Sequence, residues 1–390
     1  MDKKPEKLVP EVRFKGFTDD WEQRKGKSIF YSKSNKDFPE LTVLSATQDK
    51  GMIPRSSTGI DIKYEKKSLR GYKKIEPGDF VVHLRSFQGG FAYSDLTGIV
   101  SPAYTVFTFK QPEMFNNYFW KEKFTSYNFI QLLKKVTYGV RDGRSISYSD
   151  FLTLNEKFPV KVEQTKIADL FKIIDNLITL QQRKLEILIK LKRSFLTKSM
   201  ANSLDKNPEL YFNSASVKWL KQKLSDLTIK EFKGNTKLND TKPGKTEYLD
   251  AERLNGNVPL FIDKPINTLK SDILILWDGS KAGSVYYGFE GSLGSTLKAI
   301  RLNPKLVNSF FVYQQLKSKQ DVIFNKYRTP NIPHVIKNFT KVYPIYFPSM
   351  AVQNKIARFL GNLDTLIEIQ QKSIKDHKVI KKYLLQKLFI

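Results

Sequence analysis

The chain carries one helical segment twice. Residues 163–184 read EQTKIADLFKIIDNLITLQQRK, and residues 352–373 read VQNKIARFLGNLDTLIEIQQKS. The copies align without a gap at an offset of 189. That offset pairs Gln164 with Gln353, Lys166-Ile167-Ala168 with Lys355-Ile356-Ala357, and Asp175 with Asp364. It also pairs Leu177-Ile178 with Leu366-Ile367, Gln181-Gln182 with Gln370-Gln371, and Phe158-Pro159 with Phe347-Pro348. Farther on, Lys192, Leu196 and Lys198 match Lys381, Leu385 and Lys387. Solenoid repeats recur every ~20–50 residues, so a period this long marks two large halves rather than an array.

Each copy is expected to be one long helix. Neither contains proline after its opening Phe-Pro, and the first contains no glycine. A seven-residue pattern runs through Phe171, Ile174, Ile178, Gln181, Leu185, Leu188, Lys192 and Phe195. The second copy gives Leu360, Leu363, Ile367, Gln370, Ile374, His377, Lys381 and Leu384. These are a and d positions of a coiled-coil seam. At ~1.5 Å per residue, some 35 residues make a rod of about 50 Å. Two such helices in one chain meet at high effective concentration, and an antiparallel coiled coil is the expected pairing. Ordinary amphipathic helices, each packed on its own domain, are the alternative. The glutamine and the lysine fall at equivalent seam positions in both copies, where polar residues fix register and partner choice at some cost in stability.

A chain of 390 residues suits two domains. With 40% hydrophobic and 13% aromatic residues it can build packed cores. Its 66 basic against 39 acidic residues give a net charge of +27, a field that attracts nucleic acid or an anionic membrane. There is no cysteine, which excludes disulfides, thiolate catalysis and cysteine zinc sites. The histidines, His83, His334 and His377, are too scattered for a zinc site or a Ser/His/Asp triad. The opening MDKKPEKLVPEVRFKGF lacks the apolar stretch of a signal peptide, and no apolar run approaches the ~18 residues that cross a bilayer. A cytoplasmic protein is expected.

Between the repeats lie segments that read as globular. Residues 1–20 form an N-terminal segment, 21–157 a first globe, 158–201 the first helical spacer and 202–216 a polar linker; 217–346 form a second globe and 347–390 the second spacer. Pro77-Gly78-Asp79 precedes one strand signal, and Asp272 precedes another that ends before Gly279. Asp79 aligns with Asp272, Gly90 with Gly283 and Gly98 with Gly291, all at an offset of 193. FAYSDLTGIVSPAYTVF after Gly90 and SVYYGFEGSLGSTLKAI after Gly283 both read as hairpins.

Gly244-Lys245-Thr246 has the tail of a phosphate loop, but Asn239 stands where such a loop needs glycine, so a basic surface turn is expected. Asp61, Glu65 and Lys67 loosely echo metal-dependent nuclease spacing. No Asn-Pro-Pro-aromatic stretch and no dinucleotide-type glycine loop exists. Lys66, Lys67, Arg70, Lys73 and Lys74 form a basic cluster suited to phosphate contacts. Base readout falls on glycine-bearing loops at strand ends: Arg85, Ser86, Phe87 and Gln88, then Arg141 and Arg144. In the second globe the counterparts are Ser280, Lys281 and Ser284, with Arg328 and Asn331. Arginine can pair with guanine and glutamine with adenine in the major groove.

The pattern resembles the DNA-specificity subunit of type I restriction–modification systems. The resemblance covers nearly the whole chain and rests on three features: VPEVRFKGFTDDWEQRK (Val9 to Lys25), the run from Phe158-Pro159 through Glu163-Gln164 to Lys166-Ile167-Ala168, and the doubled layout. It implies an α+β fold with two target-recognition domains separated by two long helices in an antiparallel, pseudo-twofold coiled coil. Each domain would read one half of a bipartite site in double-stranded DNA. The helices would dock two modification subunits, which methylate adenine with S-adenosylmethionine. Two restriction subunits would add an ATP- and Mg-dependent translocating endonuclease. The chain itself would hold no cofactor or metal and catalyse nothing. The rival readings are a self-contained nuclease using Asp61, Glu65 and Lys67, and a coiled-coil protein bound to membrane or RNA through charge alone.

Overall fold

A computed structural model describes residues 8–47, 50–59, 66–82, 90–138, 145–200, 219–329 and 333–390. The chain forms two compact units, one of residues 1–182 with 372–390 and one of residues 183–371. Each unit therefore owns a globe and a part of both long helices.

The helices span Lys161–Ser199 and Met350–Lys387. Phe158 and Phe347 close the strands Asn155–Phe158 and Pro344–Phe347, and the prolines behind them end strand pairing before each helix begins. Along the first helix Phe171 and Ile174 are buried, and Ile178, Gln181, Leu185, Leu188, Lys192 and Phe195 are half-buried. In the second, Leu360, Leu363, Gln370 and Ile374 are buried, with Ile367, His377, Lys381 and Leu384 half-buried. The buried stripe thus follows the seven-residue pattern read from the sequence. The helices run antiparallel within each unit. Asp175 meets Lys381 and Phe171 meets Phe389 in the first, while Lys192 meets Asp364 and Phe195 meets Phe359 in the second.

Both globes share one topology. The first has an antiparallel sheet ordered Phe30–Lys33, Thr105–Phe109, Phe80–Val82, Phe91–Tyr93. The second has Thr228–Lys233, Leu297–Leu302, Ile273–Leu276, Val285–Tyr286 in the same order. A two-stranded ribbon accompanies each: Glu22–Lys25 with Asn155–Phe158, and Leu220–Lys223 with Pro344–Phe347. The aligned glycines have a shared cause. A Cβ on Gly98 would lie 2.6 Å from the Thr42 carbonyl oxygen, and one on Gly291 would lie 2.2 Å from that of Glu247. Neighbouring backbone passes too close for any side chain.

The expected hairpins do not form. Phe91–Tyr93 pairs backwards with Phe80–Val82, Gly98–Val100 pairs with Lys73–Ile75, and Thr105–Phe109 enters the sheet centre. In the second globe Ser292–Leu293 pairs in parallel with the strand Pro243–Leu249. The first arm of each expected hairpin stays with the strand before it, and the later arms pair with strands farther off in sequence. Gly244-Lys245-Thr246 is also not a turn. It lies in Pro243–Leu249, beside an irregularity in its pairing with Phe261–Ile262.

The cores differ in chemistry. The first packs Phe30, Phe80, Phe107, Phe109, Trp120, Phe124 and Phe151 with Leu388 and Phe389, which follow the second helix. The second is largely aliphatic, with Ile273, Ile275, Val285, Ile300, Val312 and Leu316 against Ile356 and Leu360.

Candidate nucleic-acid interface

In each globe a loop expected from the sequence to read bases joins the sheet's last two strands, whose pairing fixes its ends. In the second globe this loop follows Ile273–Leu276 and precedes Val285–Tyr286. Gly279 and Gly283 adopt φ of 107° and 95°, which lets the backbone double back. Ser280 and Lys281 are exposed at its tip. Arg328 joins them from another segment: its Nη1 donates to the Ser280 carbonyl at 3.1 Å, and its guanidinium lies 5.4 Å from the Phe324 ring centre. Ser284 plays a different part. It is buried, and its hydroxyl donates to the Lys281 carbonyl at 2.8 Å, holding the turn. Asn331 lies outside the described residues.

The corresponding loop of the first globe joins Phe80–Val82 to Phe91–Tyr93. Its Arg85, Ser86, Phe87 and Gln88 lie outside the described residues, as do Arg141, Arg144, Asp61 and Glu65. Residues 141 and 144 belong to the segment that connects two paired strands, Thr137–Tyr138 and Ser145–Ile146. Of Lys66 and Lys67 only the backbone, in a 3-10 turn, is described. The rest of that basic cluster divides. Arg70 is exposed. Lys73 donates to the Tyr104 carbonyl at 2.7 Å, and burial, with Lys36 nearby, holds its pKa below the lysine range. Lys74 pairs with Glu76 at 2.9 Å and lies over the Phe38 ring.

The aligned aspartates are structural. Asp79 Oδ2 accepts from Glu76 N and Asp272 Oδ2 from Leu269 N, both at 2.9 Å. Each then holds a cation: Lys33 on Asp79 at 2.9 Å, and Arg301 on Asp272 through two bonds of 2.8 and 2.7 Å. Lys33 also reaches Glu76, and with Lys74 it pulls the Glu76 carboxyl down to about 2.

The joints between globe and helix repeat nearly atom for atom. Gln164 and Gln353 are fully buried. Gln164 Oε1 accepts from Asn116 N at 3.0 Å, and its Nε2 donates to the Pro159 carbonyl at 2.8 Å. Gln353 does the same with Asn308 N and the Pro348 carbonyl, both at 2.9 Å. Asn116 and Asn308 in turn cap the short helices Asn117–Lys123 and Ser309–Ser318, accepting from Phe119 N and Phe311 N. No property of the sequence beyond the repeat itself announces this clamp.

One step along the seam, Lys381 donates to both Asp175 oxygens at 2.7 and 2.9 Å, and Lys192 donates to Asp364. These are the same two repeat positions with the helices exchanged, as antiparallel pairing demands. The short helices add unlike partners. Gln314 Nε2 donates to Asp364 Oδ2 at 2.7 Å, whereas Tyr118 Oη donates to Asp175 Oδ2 at 2.7 Å and Glu122 brings a second carboxylate. Burial pushes Asp175 up, but Lys381 and Tyr118 outweigh it and hold it below the usual range. Burial pushes Glu122 up, and Lys381 and Lys121 do not offset it.

The outward faces of the helices carry a second apolar stripe: Ile173, Leu177, Leu180, Ile187 and Leu191 in the first, and Leu366, Ile369, Ile380 and Tyr383 in the second, all exposed. Among the described residues there is no cluster of His, Cys, Asp or Glu suited to a metal ion, and no helix is long and apolar enough to cross a membrane.

Comparison with known proteins points one way. A family model, the Type I restriction modification DNA specificity domain, matches residues 216–376. The type I restriction enzyme MjaVIII specificity subunit of Methanocaldococcus jannaschii is 32% identical over 165 residues, covering 41% of this chain and 39% of that protein. A putative type I restriction enzyme MjaX specificity subunit from the same organism is 23% identical over 266 residues, covering 63% and 60%. The matches thus span 39% and 60% of the length of these relatives, less than two thirds of either. The fold extends further. The type I restriction–modification S subunit from M. genitalium matches 98% of this chain and 99% of its own, with a TM-score of 0.67 at 18% identity. A chain from a structure addressing complex assembly and conformational transition of the type I system matches 98% of each, with a TM-score of 0.55 at 14% identity. The type I restriction modification DNA specificity domain is thus matched across the second globe, and the fold of type I S subunits is matched along nearly the whole chain.

Proposed function

We propose that the chain reads a bipartite, asymmetric site in double-stranded DNA and scaffolds the modification and restriction subunits of a type I complex. One observation carries the reading: two globes of identical strand order join their last two strands through segments of unlike sequence. Equal frames with unequal loops suit two different half-sites. In the second globe Ser280, Lys281 and Arg328 are the reading group, and Ser284 shapes their loop. In the first, Arg85, Ser86, Phe87, Gln88, Arg141 and Arg144 take that role. Arg70, with Lys66 and Lys67, would contact phosphates, while Lys73 and Lys74 support the fold around them.

The outer apolar stripes favour partner docking, because long helices of a protein that works alone bury such residues. Specificity subunits are the non-catalytic members of these systems, so S-adenosylmethionine, ATP and Mg would belong to the partners. The complex would act where the chromosome lies, in the cytoplasm.

The test is an exchange of residues 21–157 for another recognition domain, followed by footprinting of the reconstituted complex. One protected tract should change and the other should stay. A change in both, or protection without any preferred sequence, would overturn the reading. Binding should also weaken steeply with salt, with a log–log slope near about −9 for roughly ten neutralised phosphates. DNA cutting by the purified chain with magnesium alone would favour a nuclease instead.

A further inference from the structure

The duplication supplies its own control at the globe–helix joints. Counting from the capping asparagines, Asn116 corresponds to Asn308, Phe119 to Phe311 and Glu122 to Gln314. Both Glu122 and Gln314 are buried, at 1% and 0% exposed, and both face the cross-helix Asp–Lys pair. In the second unit the group is an amide. It donates to Asp364, Lys192 donates to the same carboxylate, and Lys317, held below the lysine range by burial and by Lys192, adds a cation rather than a second carboxylate.

In the first unit the group is a carboxylate, and the charges crowd. Lys381 must serve both Asp175 and Glu122. Glu122 Oε2 sits 3.0 Å from Lys381 Nζ yet accepts no hydrogen bond of normal geometry. Glu122 Oε1 is 3.6 Å from Lys121 Nζ, which lies equally far from Asp175. Tyr118 donates to Asp175 and not to Glu122, while Lys172 and Asp95 reach only the Tyr118 side of the cluster. A buried carboxylate served this poorly costs more in lost hydration than its ion pairs return.

We propose that Glu122 is a positioning residue that makes the seating of the first globe on the long helices proton-linked, whereas Gln314 seats the second globe without a titrating group. The seated joint favours neutral Glu122 and the open joint favours the ion. Since the carboxyl is raised in the seated state, its contribution to stability is complete below the ordinary carboxylate range and is lost as pH rises through its own shifted value. Asp175, held low, acts in the opposite sense and only below the ordinary aspartate range. Lys381 stays cationic across the window, because Glu122 and Asp175 outweigh the effect of its burial. The inference concerns seating alone and stands apart from the DNA-reading proposal.

Hydrogen exchange on the full chain from pH 4.5 to 8.5, corrected for intrinsic exchange, tests it. The opening constant of the helix Asn117–Lys123 should rise about tenfold per pH unit up to the Glu122 value and then level, while that of Ser309–Ser318 stays flat. Glu122→Gln should abolish the rise and protect the first joint at pH 8.5, with little change at pH 4.5. Gln314→Glu should create the same rise in the second joint. A flat first joint, equal slopes in both joints, or a slope that survives Glu122→Gln would overturn the proposal. If Glu122→Gln does not fold, the reciprocal variant decides: no gained slope means the proposal is wrong.

Discussion

The two globes solve one packing problem with different materials. Phe107 stands at the centre of the first sheet and touches the rings of Phe30, Phe80, Phe91, Phe124, Tyr148 and Phe151. Ile300 occupies the corresponding strand of the second sheet among Ile273, Val285 and Leu302. Strand order survived this change, and so did the Gln164 and Gln353 clamps, bond for bond. Topology and joint are therefore the constrained parts, and the filling of a globe is free so long as its volume closes.

The sharpest way to break the comparison is truncation at those central positions. Phe107→Ala should cost the first unit about 4 kcal/mol, because its neighbours are rigid rings that cannot collapse into the gap, and Ile300→Val should cost the second about 1 kcal/mol. Urea unfolding can separate them, since Trp21 and Trp120 report the first unit and Trp219 and Trp277 the second. Next comes removal of the seam lysines. Lys381→Met takes the nearest cation from two carboxylates, of which only Asp175 keeps a donor, Tyr118, and should cost about 3 kcal/mol, whereas Lys192→Met leaves Asp364 with its Gln314 donor and should cost about 1 kcal/mol. Equal losses, measured by exchange protection in each unit, would show that the joints are alike after all.

Gln164→Ala and Gln353→Ala sharpen the shared side. Each leaves the backbone amide of a capping asparagine without its acceptor, and each should cost about 2 kcal/mol in its own unit. A marked inequality would mean that the clamps are equal in geometry only. The smallest effect is a titration. Glu76, held by Lys33 and Lys74, should keep its charge until about pH 2, so its grip on Lys33 is present above the ordinary glutamate range and fades as pH falls toward that value. Carboxyl carbon shifts followed by NMR would show it. A midpoint near 4.5 would mean that Lys33 serves Asp79 alone.

The long helices were legible because a seven-residue pattern is local and the chain states it twice. Positions from Phe171 to Phe195 and from Leu360 to Leu384 fall on the buried stripe for that reason. The aligned Asp79 and Asp272, and Gly98 and Gly291, were legible as landmarks, though their cause, a turn acceptor and a crowding carbonyl, needed the fold. Strand partners were not legible. The segments around Gly98–Val100 and Ser292–Leu293 look like hairpin arms, but pairing is settled by residues far away in sequence. Gly244-Lys245-Thr246 misled in the same way, because a bulged strand and a turn use similar residues. Among the residues expected to read bases, Arg328 reaches the Ser280–Lys281 loop, a proximity across distant loops that no local pattern encodes. Ser284 shows the limit of residue type, since its hydroxyl is consumed by its own turn. Glu122 and Gln314 escaped notice because their offset differs from that of the helices, so no ungapped alignment brings them together.

The division of the chain has a consequence for its synthesis. The second unit is one continuous stretch, residues 183–371, while the first borrows residues 372–390 from the far end. Leu388 and Phe389 lie in the first core, Asn128 Nδ2 donates to the Phe389 carbonyl at 2.7 Å, and Val12 N donates to that of Lys387 at 3.1 Å. On the ribosome the half translated first must therefore wait, its aromatic interior incomplete, until the final turns emerge and lock it. The half translated later can finish before it.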